Sequence, residues 1–443
     1  MATKRLRGKT LGRRLLAGAV AAATIGALAA CSGGGGGSTD GEPSGKLQLL
    51  VSSSDATDAG FRAINEAFEK QYPKVDVVFS TVSNDNYPAT KSSRLTAGNL
   101  DLFVVKGLME TPSYAKDAAT DDARLAKAGG LVDLTAEPFL KQYTPTLLDA
   151  QAIGGKQYAV PTGVSYYTGV FYNKKIFADN GLTVPTTWSA FTKLVDTLKA
   201  KGVTPFGLGG KDSWPAGLPM LASVASLYPT VADKQQLAKD LWTNKAKLTD
   251  PTQVKVLEQT EYVLKNAQQG AAGADYTSIP SGFAAGDFAM TVDGTWDQPT
   301  IDSAVGKSFD YGYFPFPGAD DAADNALLNG KTELQLAVPT SAKNKAAAIA
   351  WLKFFSDKKN YEQFLQKSGF SSAQPGISTS DFLQSIGGYT KSYEPAWDQV
   401  WFANNKAGQD AVFPFNYPAL SPLGSATAEQ AAQAAQKAWS AAG

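Results

Sequence analysis

The 443-residue sequence predicts an α/β protein with more than one lobe. Three observations carry this expectation. Between Leu47 and Lys106 apolar strands alternate with amphipathic helical stretches, the order that builds a parallel sheet. The same kind of pattern starts afresh near Gly154. The length exceeds what one hydrophobic core usually organises, which suggests two domains or so.

The elements follow in order. "KLQLLVSSSD" gives a strand over Leu47 to Val51 and then a small polar loop, after which Phe61, Ile64 and Phe68 recur at helical spacing. Pro73 ends that helix, "VDVVFSTVS" starts a second strand at Val75, and "LDLFVVKG" reads as a third. The polar loops Ser53 to Asp55 and Asn84 to Asn86, with Lys106, then gather along one edge, where open α/β sheets take ligands. In "GGKQYAVPTGVSYYTGVFYNKKIF" one strand passes through Pro161 and Gly163 into another, so Val160 to Thr168 reads as a crossing between lobes. A helix follows with Trp188, Phe191, Leu194, Val195 and Leu198 on one stripe, Thr186 as its cap and Gly202 as its stop. "FDYGYFPFPG" and "LQLAVPTSAKNKAAAIAWLKFF" give strands and a helix with Ile349, Leu352 and Phe355 inward. Thr427 and Gln430 form a capping-box pattern ahead of an alanine-rich final helix.

The amino terminus has a different logic. Six basic residues between Lys4 and Arg14 precede an apolar run of 16 residues from Leu15 to Ala30. Charged, apolar, then small is the order of a secretory signal, and the run is short of the ~20 residues a spanning helix needs. It ends at Cys31, the only cysteine in the chain, followed by five glycines. This segment resembles the bacterial lipobox, in which that cysteine carries lipid and becomes the first residue. Ser32 to Gly45 would then be a flexible tether. The Arg13–Arg14 pair leaves Sec and twin-arginine export both open.

Removing the first 30 residues, which carry six basic side chains and no acid, leaves 35 basic against 41 acidic groups and a net charge of −6. Such a balance gives no electrostatic reason to seek nucleic acid. A lone cysteine forms no internal disulfide, so stability must come from packing. Histidine is absent, which removes Ser-His-Asp and Cys-His catalysis and most zinc, copper and non-haem iron sites. No metal, cofactor or catalytic residue is expected.

Several stretches in order, "FRAINEAFEKQYPKVDVVF", "GGKQYAVPTGVSYYTGVFYNKKIFADNGLTVPTTWSAF", "GDFAMTVDGTWDQPTI", "LAVPTSAKNKAAAIAWLKFF" and "SGFSSAQPG", make the chain resemble the extracellular sugar-binding lipoproteins of bacterial ABC importers, solute-binding protein family 1. The resemblance implies a periplasmic-binding-protein-like fold: two α/β lobes, hinge crossings and a cleft between them. It places a signal peptide at 1–30, the lipidated cysteine and linker at 31–45, the amino-terminal lobe at 46–160 and 309–341, and the other lobe at 161–308 and 342–443. It also implies a monomer held by lipid at the outer face of the cell membrane, an oligosaccharide ligand, and permease subunits whose ATPase is a separate chain.

A neutral sugar offers C–H faces and a rim of hydroxyls, so its site needs aromatic rings and paired polar groups. Trp214 in "GGKDSWPAG" and Trp296 in "VDGTWDQP" sit in loops that suit stacking, and the resemblance assigns both that role. Two such platforms point to a disaccharide or short oligosaccharide. Rim candidates are Asp55, Asn84, Asp85, Lys106, Tyr166, Lys211 and Asp212; Trp401, Phe370 and Tyr417 are candidate walls. A rival reading is a secreted glycoside hydrolase using two of Asp212, Asp293 and Asp297, since such chemistry needs only paired carboxylates. Another is a peptide or amino-acid binder, which would want a cleft arginine; after the signal only Arg62, Arg94 and Arg124 remain.

Overall fold

A computed structural model describes residues 42–52, 55–377, 380–408, 411 and 414–442. The signal segment, Cys31 and the tether as far as Gly41 lie outside the described residues, as do Ser53, Ser54 and the side chain of Asp55; the end of the expected tether is instead held, with Glu42 paired to Lys74 at 2.7 Å and Gly45 in the first strand opposite Val75. No helix among the described residues is long and apolar enough to cross a membrane.

β1 (Gly45–Ser52) pairs in parallel with β2 (Val75–Val82) along its whole length and, on its other side, with β3 (Leu102–Val105). The helix Asp55–Gln71 makes the first crossover, and the predicted stripe of Phe61, Ile64 and Phe68 is fully buried against the sheet. β4 (Ala159–Val160), β5 (Gly163–Tyr166) and β6 (Gly169–Asn173) follow with two residues between neighbours. Beyond them come β7 (Phe206–Gly207), β8 (Met290–Asp293), β9 (Tyr311–Pro315), β10 (Asn329–Glu333), β11 (Gln335–Ala337) and β12 (Glu394–Pro395).

These strands form three sheets: β2-β1-β3-β11-β4 in the first lobe, β7-β8-β6-β9 in the second, and β12-β10-β5 between. The chain leaves the first sheet at β4, runs through β5 and enters the second at β6, which is the crossing expected at Val160 to Thr168. It returns from β9 through β10 to β11. β5 and β10 pair antiparallel, Tyr166 opposite Gly330 and Gly163 opposite Glu333. Gly330 is required there, because a Cβ would lie 2.1 Å from the Ser165 carbonyl oxygen.

Two lobe assignments need correction. Residues 309–341 were expected in the first lobe, yet β9 pairs with β6 in the second sheet from Asn173↔Tyr311 to Gly169↔Pro315. Residues from 342 onward were expected in the second lobe, yet the helices Lys345–Ser356 and Lys358–Ser368 pack on the first. The cause is aromatic: Phe61 meets Trp351 at 6.3 Å and Phe364 at 5.0 Å, and Trp351 Nε1 donates to Asn65 Oδ1 at 2.9 Å. An indole wants both apolar contact and a partner for its N–H, and the helix Asp55–Gln71 supplies both.

In the second lobe the stripe Phe191, Leu194, Val195 and Leu198 packs beside Phe206, Phe314 and Phe316, while Trp188 is half-buried at its edge. The cap of that helix is Thr187, whose hydroxyl accepts from Ala190 N at 3.3 Å; Thr186 instead offers its carbonyl to Asn325 Nδ2. Gly202 takes a left-handed φ of 74° just past the helix end. The capping box of Thr427 and Gln430 is present at the final helix, Ala428–Ala441.

Candidate functional site

Trp296 follows the buried strand β8 on a single turn, Thr295–Asp297. Its ring lies so close to Gly294 that a Cβ there would come within 2.4 Å of it, which explains a glycine in "DGTW". Thr295 Oγ1 accepts from Tyr166 N at 3.1 Å, tying this turn to the crossing strand β5. Trp214 opens the turn Trp214–Gly217, and its ring stands 6.1 Å from that of Trp296 at 60°. Tyr276 joins the two: its ring is 4.7 Å from Trp214, and its hydroxyl accepts from Trp296 Nε1 at 3.0 Å while donating to Asp293 Oδ1 at 3.1 Å. Tyr167, the residue after β5, lies 5.3 Å from Trp296. The result is a contiguous cluster of four rings, in which both tryptophans keep part of their surface open to solvent.

The first lobe contributes polar groups. Lys106 follows β3, and its backbone N–H donates to Asp122 Oδ2 at 2.7 Å, a carboxylate also paired with Lys91 at 2.7 Å. The Lys106 ammonium lies 5.1 Å over Tyr87 and donates to Asn84 Oδ1 at 2.8 Å. Burial, and then the neighbouring Lys331 ammonium, lower Lys106 to about 8. Lys331 lies on β10, with its Nζ 5.1 Å over Trp296, 5.5 Å over Tyr167 and 3.4 Å from Glu333.

The remaining candidates are distributed unevenly. Asp212 is committed to structure, accepting from Tyr276 N at 2.9 Å, and so holds Tyr276 in place. Lys211 is exposed and paired with Asp275 at 2.6 Å. Asp85 is exposed beside Asn84. Tyr166 is buried, and burial pushes its hydroxyl up to about 12. Asp55 opens the first helix, with its side chain outside the described residues. Trp401 is a correction. It is 3% exposed and packed among Trp397 at 5.3 Å, Trp439 at 5.4 Å and Trp242 at 6.1 Å, so it belongs to the core of the second lobe and offers no face to a ligand. Phe370 is likewise buried, against Phe364, whereas the Tyr417 ring packs on Gly217, at the end of the turn that Trp214 opens.

Asp293 and Asp297 lie beneath this cluster, 1% and 6% exposed. Burial and the neighbouring Asp297 hold Asp293 well above the usual carboxylate range; burial raises Asp297 to about 7. Neither presents a surface to a substrate. Tyr276, Tyr167 and Lys331 were not among the sequence candidates. Tyr276 opens a short turn 20 residues before Trp296, separated from it by a helix and a strand, and Lys331 alternates along an ordinary strand, so neither gave a local signal.

Among the described residues no cluster of three or more metal-ligating side chains exists. A shallow depression lined by Ser44, Lys46, Asn99, Asp101 and Lys343 lies where β1 begins, the opposite end of that strand from the polar loops, and holds no aromatic ring.

Residues 52–362 match the family described as bacterial extracellular solute-binding protein. The multiple sugar-binding protein of Streptococcus mutans is 26% identical over 363 residues, 80% of this chain and 81% of that protein. Among solved structures, RafE in complex with raffinose has a TM-score of 0.74 at 24% identity, covering 89% of this chain and 99% of that one. A chitin oligosaccharide binding protein has a TM-score of 0.72 at 24% identity, covering 90% and 99%. With two α/β lobes joined by a crossing sheet and more than half its length matched, this chain belongs to the family of bacterial extracellular solute-binding proteins.

Proposed function

We propose that the protein captures a disaccharide or short oligosaccharide between its lobes and delivers it to an ABC permease, with Cys31 carrying a lipid anchor. The observation that carries this reading is the cluster of Trp214, Trp296, Tyr167 and Tyr276 at the crossing sheet, with Lys106 of the first lobe, hydrogen-bonded to Asn84, within electrostatic reach of Lys331. Aromatic faces suit sugar C–H surfaces, and amide and ammonium groups suit the hydroxyl rim. If each ring loses ~100 Å² of apolar surface, burial supplies about 2.5 kcal/mol per ring, a large part of the roughly 8 kcal/mol of a micromolar complex. Because β5, β10 and β12 are the strands that link the sheets, a ligand touching both lobes shifts a hinge equilibrium at these crossings.

The test is calorimetry with raffinose-type oligosaccharides, chitin oligosaccharides and peptides. Micromolar binding of a sugar recovered intact is expected; binding of peptides alone overturns the reading. The hydrolase alternative is disfavoured by the depth of Asp293 and Asp297, and steady release of monosaccharide during incubation would establish it. Fatty-acid labelling of whole cells tests the anchor: Cys31→Ala should lose the label.

A further inference from the structure

The Lys331 ammonium occupies a place that a sugar would need. Trp296 is half-buried and Tyr167 is 2% exposed, and the same ammonium lies over both rings. A cation on an aromatic face and the C–H face of a sugar compete for one surface, since both are drawn to the ring's π-cloud. We infer that Lys331 is an internal occupant of the open face of Trp296, with Tyr167 buried beside it, which a ligand must displace, so that this lysine sets affinity by competition rather than by contact. The inference rests on the reading of these rings as a sugar platform.

The surroundings show where the displaced ammonium goes and why displacement is easy. Glu333 is 3.4 Å from Lys331 on the same strand, two residues on. It is buried and already accepts from the Ser165 hydroxyl, so its position is fixed. Moving off the rings toward Glu333 exchanges a cation–π contact for a closer ion pair. Tyr167 keeps its place meanwhile, because its hydroxyl donates to Asp398 Oδ1 at 2.6 Å. The rings therefore stay while the lysine moves.

Two variants separate this from a direct contact. Lys331→Ala removes the competitor and should bind the oligosaccharide about three-fold tighter by calorimetry, the factor expected from a weak cation–π contact. Lys331→Arg, which covers aromatic faces at least as well, should bind no tighter than the parent. Weaker binding by Lys331→Ala would make the ammonium a ligand contact and overturn the proposal; so would unchanged binding. A second measurement needs no sugar: acrylamide should quench the tryptophan fluorescence of Lys331→Ala more than that of the parent, and the increment should vanish in a Trp296→Phe background. No increment overturns the occupancy itself. An increment without any sugar binding leaves the occupant in place and overturns instead the carbohydrate reading of the site.

Discussion

Trp296 and Tyr276 are joined by a hydrogen bond of 3.0 Å from the indole N–H to the phenol oxygen, and the phenol O–H in turn donates to Asp293 Oδ1 at 3.1 Å. The indole N–H of Trp296 and the hydroxyl of Tyr276 thereby both have partners within the protein. Platform residues held this way lose little further freedom when a ligand arrives.

The first prediction concerns these rings. Trp296→Ala and Trp214→Ala should each weaken oligosaccharide binding by roughly 10- to 70-fold, the upper figure corresponding to about 2.5 kcal/mol of lost apolar burial. Trp401→Ala should behave in the opposite way, costing about 3–5 kcal/mol of stability with little change in affinity. Calorimetric titration alongside thermal melts separates the two patterns.

Stability should also depend on pH through Asp297. Burial raises its carboxyl to about 7 in the folded protein, whereas in an unfolded chain it titrates near ~3.9. Between these values the folded state holds a proton that the unfolded chain has released, so stability falls as pH rises through this window and the contribution is lost above about 7. Asp297→Asn, which has no charge to lose, should flatten that fall and melt higher than the parent at pH 8. Melting curves from pH 4.5 to 8 check this; a parent and variant with parallel profiles would contradict it.

Lys234 is buried with its ammonium donating to the carbonyls of Tyr228 and Pro229 and to Asn329 Oδ1 at 2.8 Å. It ties the helix Val231–Trp242 to the crossing strand β10, and burial lowers it to about 8. Lys234→Met keeps the stem and removes the donors, leaving these acceptors short of a partner. The expected cost is about 2–4 kcal/mol, read as a lower midpoint in denaturant.

Gly330 provides a test of the crossings themselves. With the Ser165 carbonyl 2.1 Å from any added Cβ, Gly330→Ala must push β5 and β10 apart. Sugar affinity should fall together with stability, and small-angle scattering should show an altered distribution of lobe separations. A variant indistinguishable from the parent in both respects would contradict the close packing of these strands.

Much of this was readable from periodicity. Phe61, Ile64 and Phe68, or Phe191, Leu194 and Leu198, are core residues because an apolar stripe at helical spacing has one way to leave water. The crossing at Val160 to Thr168 was legible because proline and glycine interrupt three short strands. What failed depended on distance in sequence. Nothing local tells that Trp351 must reach Asn65, 286 residues earlier, so the helices after β11 were placed in the wrong lobe. Trp401 is a core residue rather than a wall, and its four-residue spacing from Trp397 marks one turn of helix-like chain, with Trp401 N donating to Trp397 O at 2.8 Å. Tyr276 and Lys331 reach the rings only through tertiary folding.

The discontinuity of the first lobe has a consequence for how the molecule is made. Tyr143 bonds Ser356 at 2.9 Å, and Asn344 Nδ2 donates to the Ser44 carbonyl at 2.7 Å, so the core begun by the earliest strands is completed by residues synthesised some 200 to 300 positions later. During vectorial emergence, whether from a ribosome or across a membrane, that half-built sheet must wait with Phe61 and Phe68 uncovered. The order of maturation is then inverted relative to the order of synthesis: the lobe that starts the chain is among the last parts to become native.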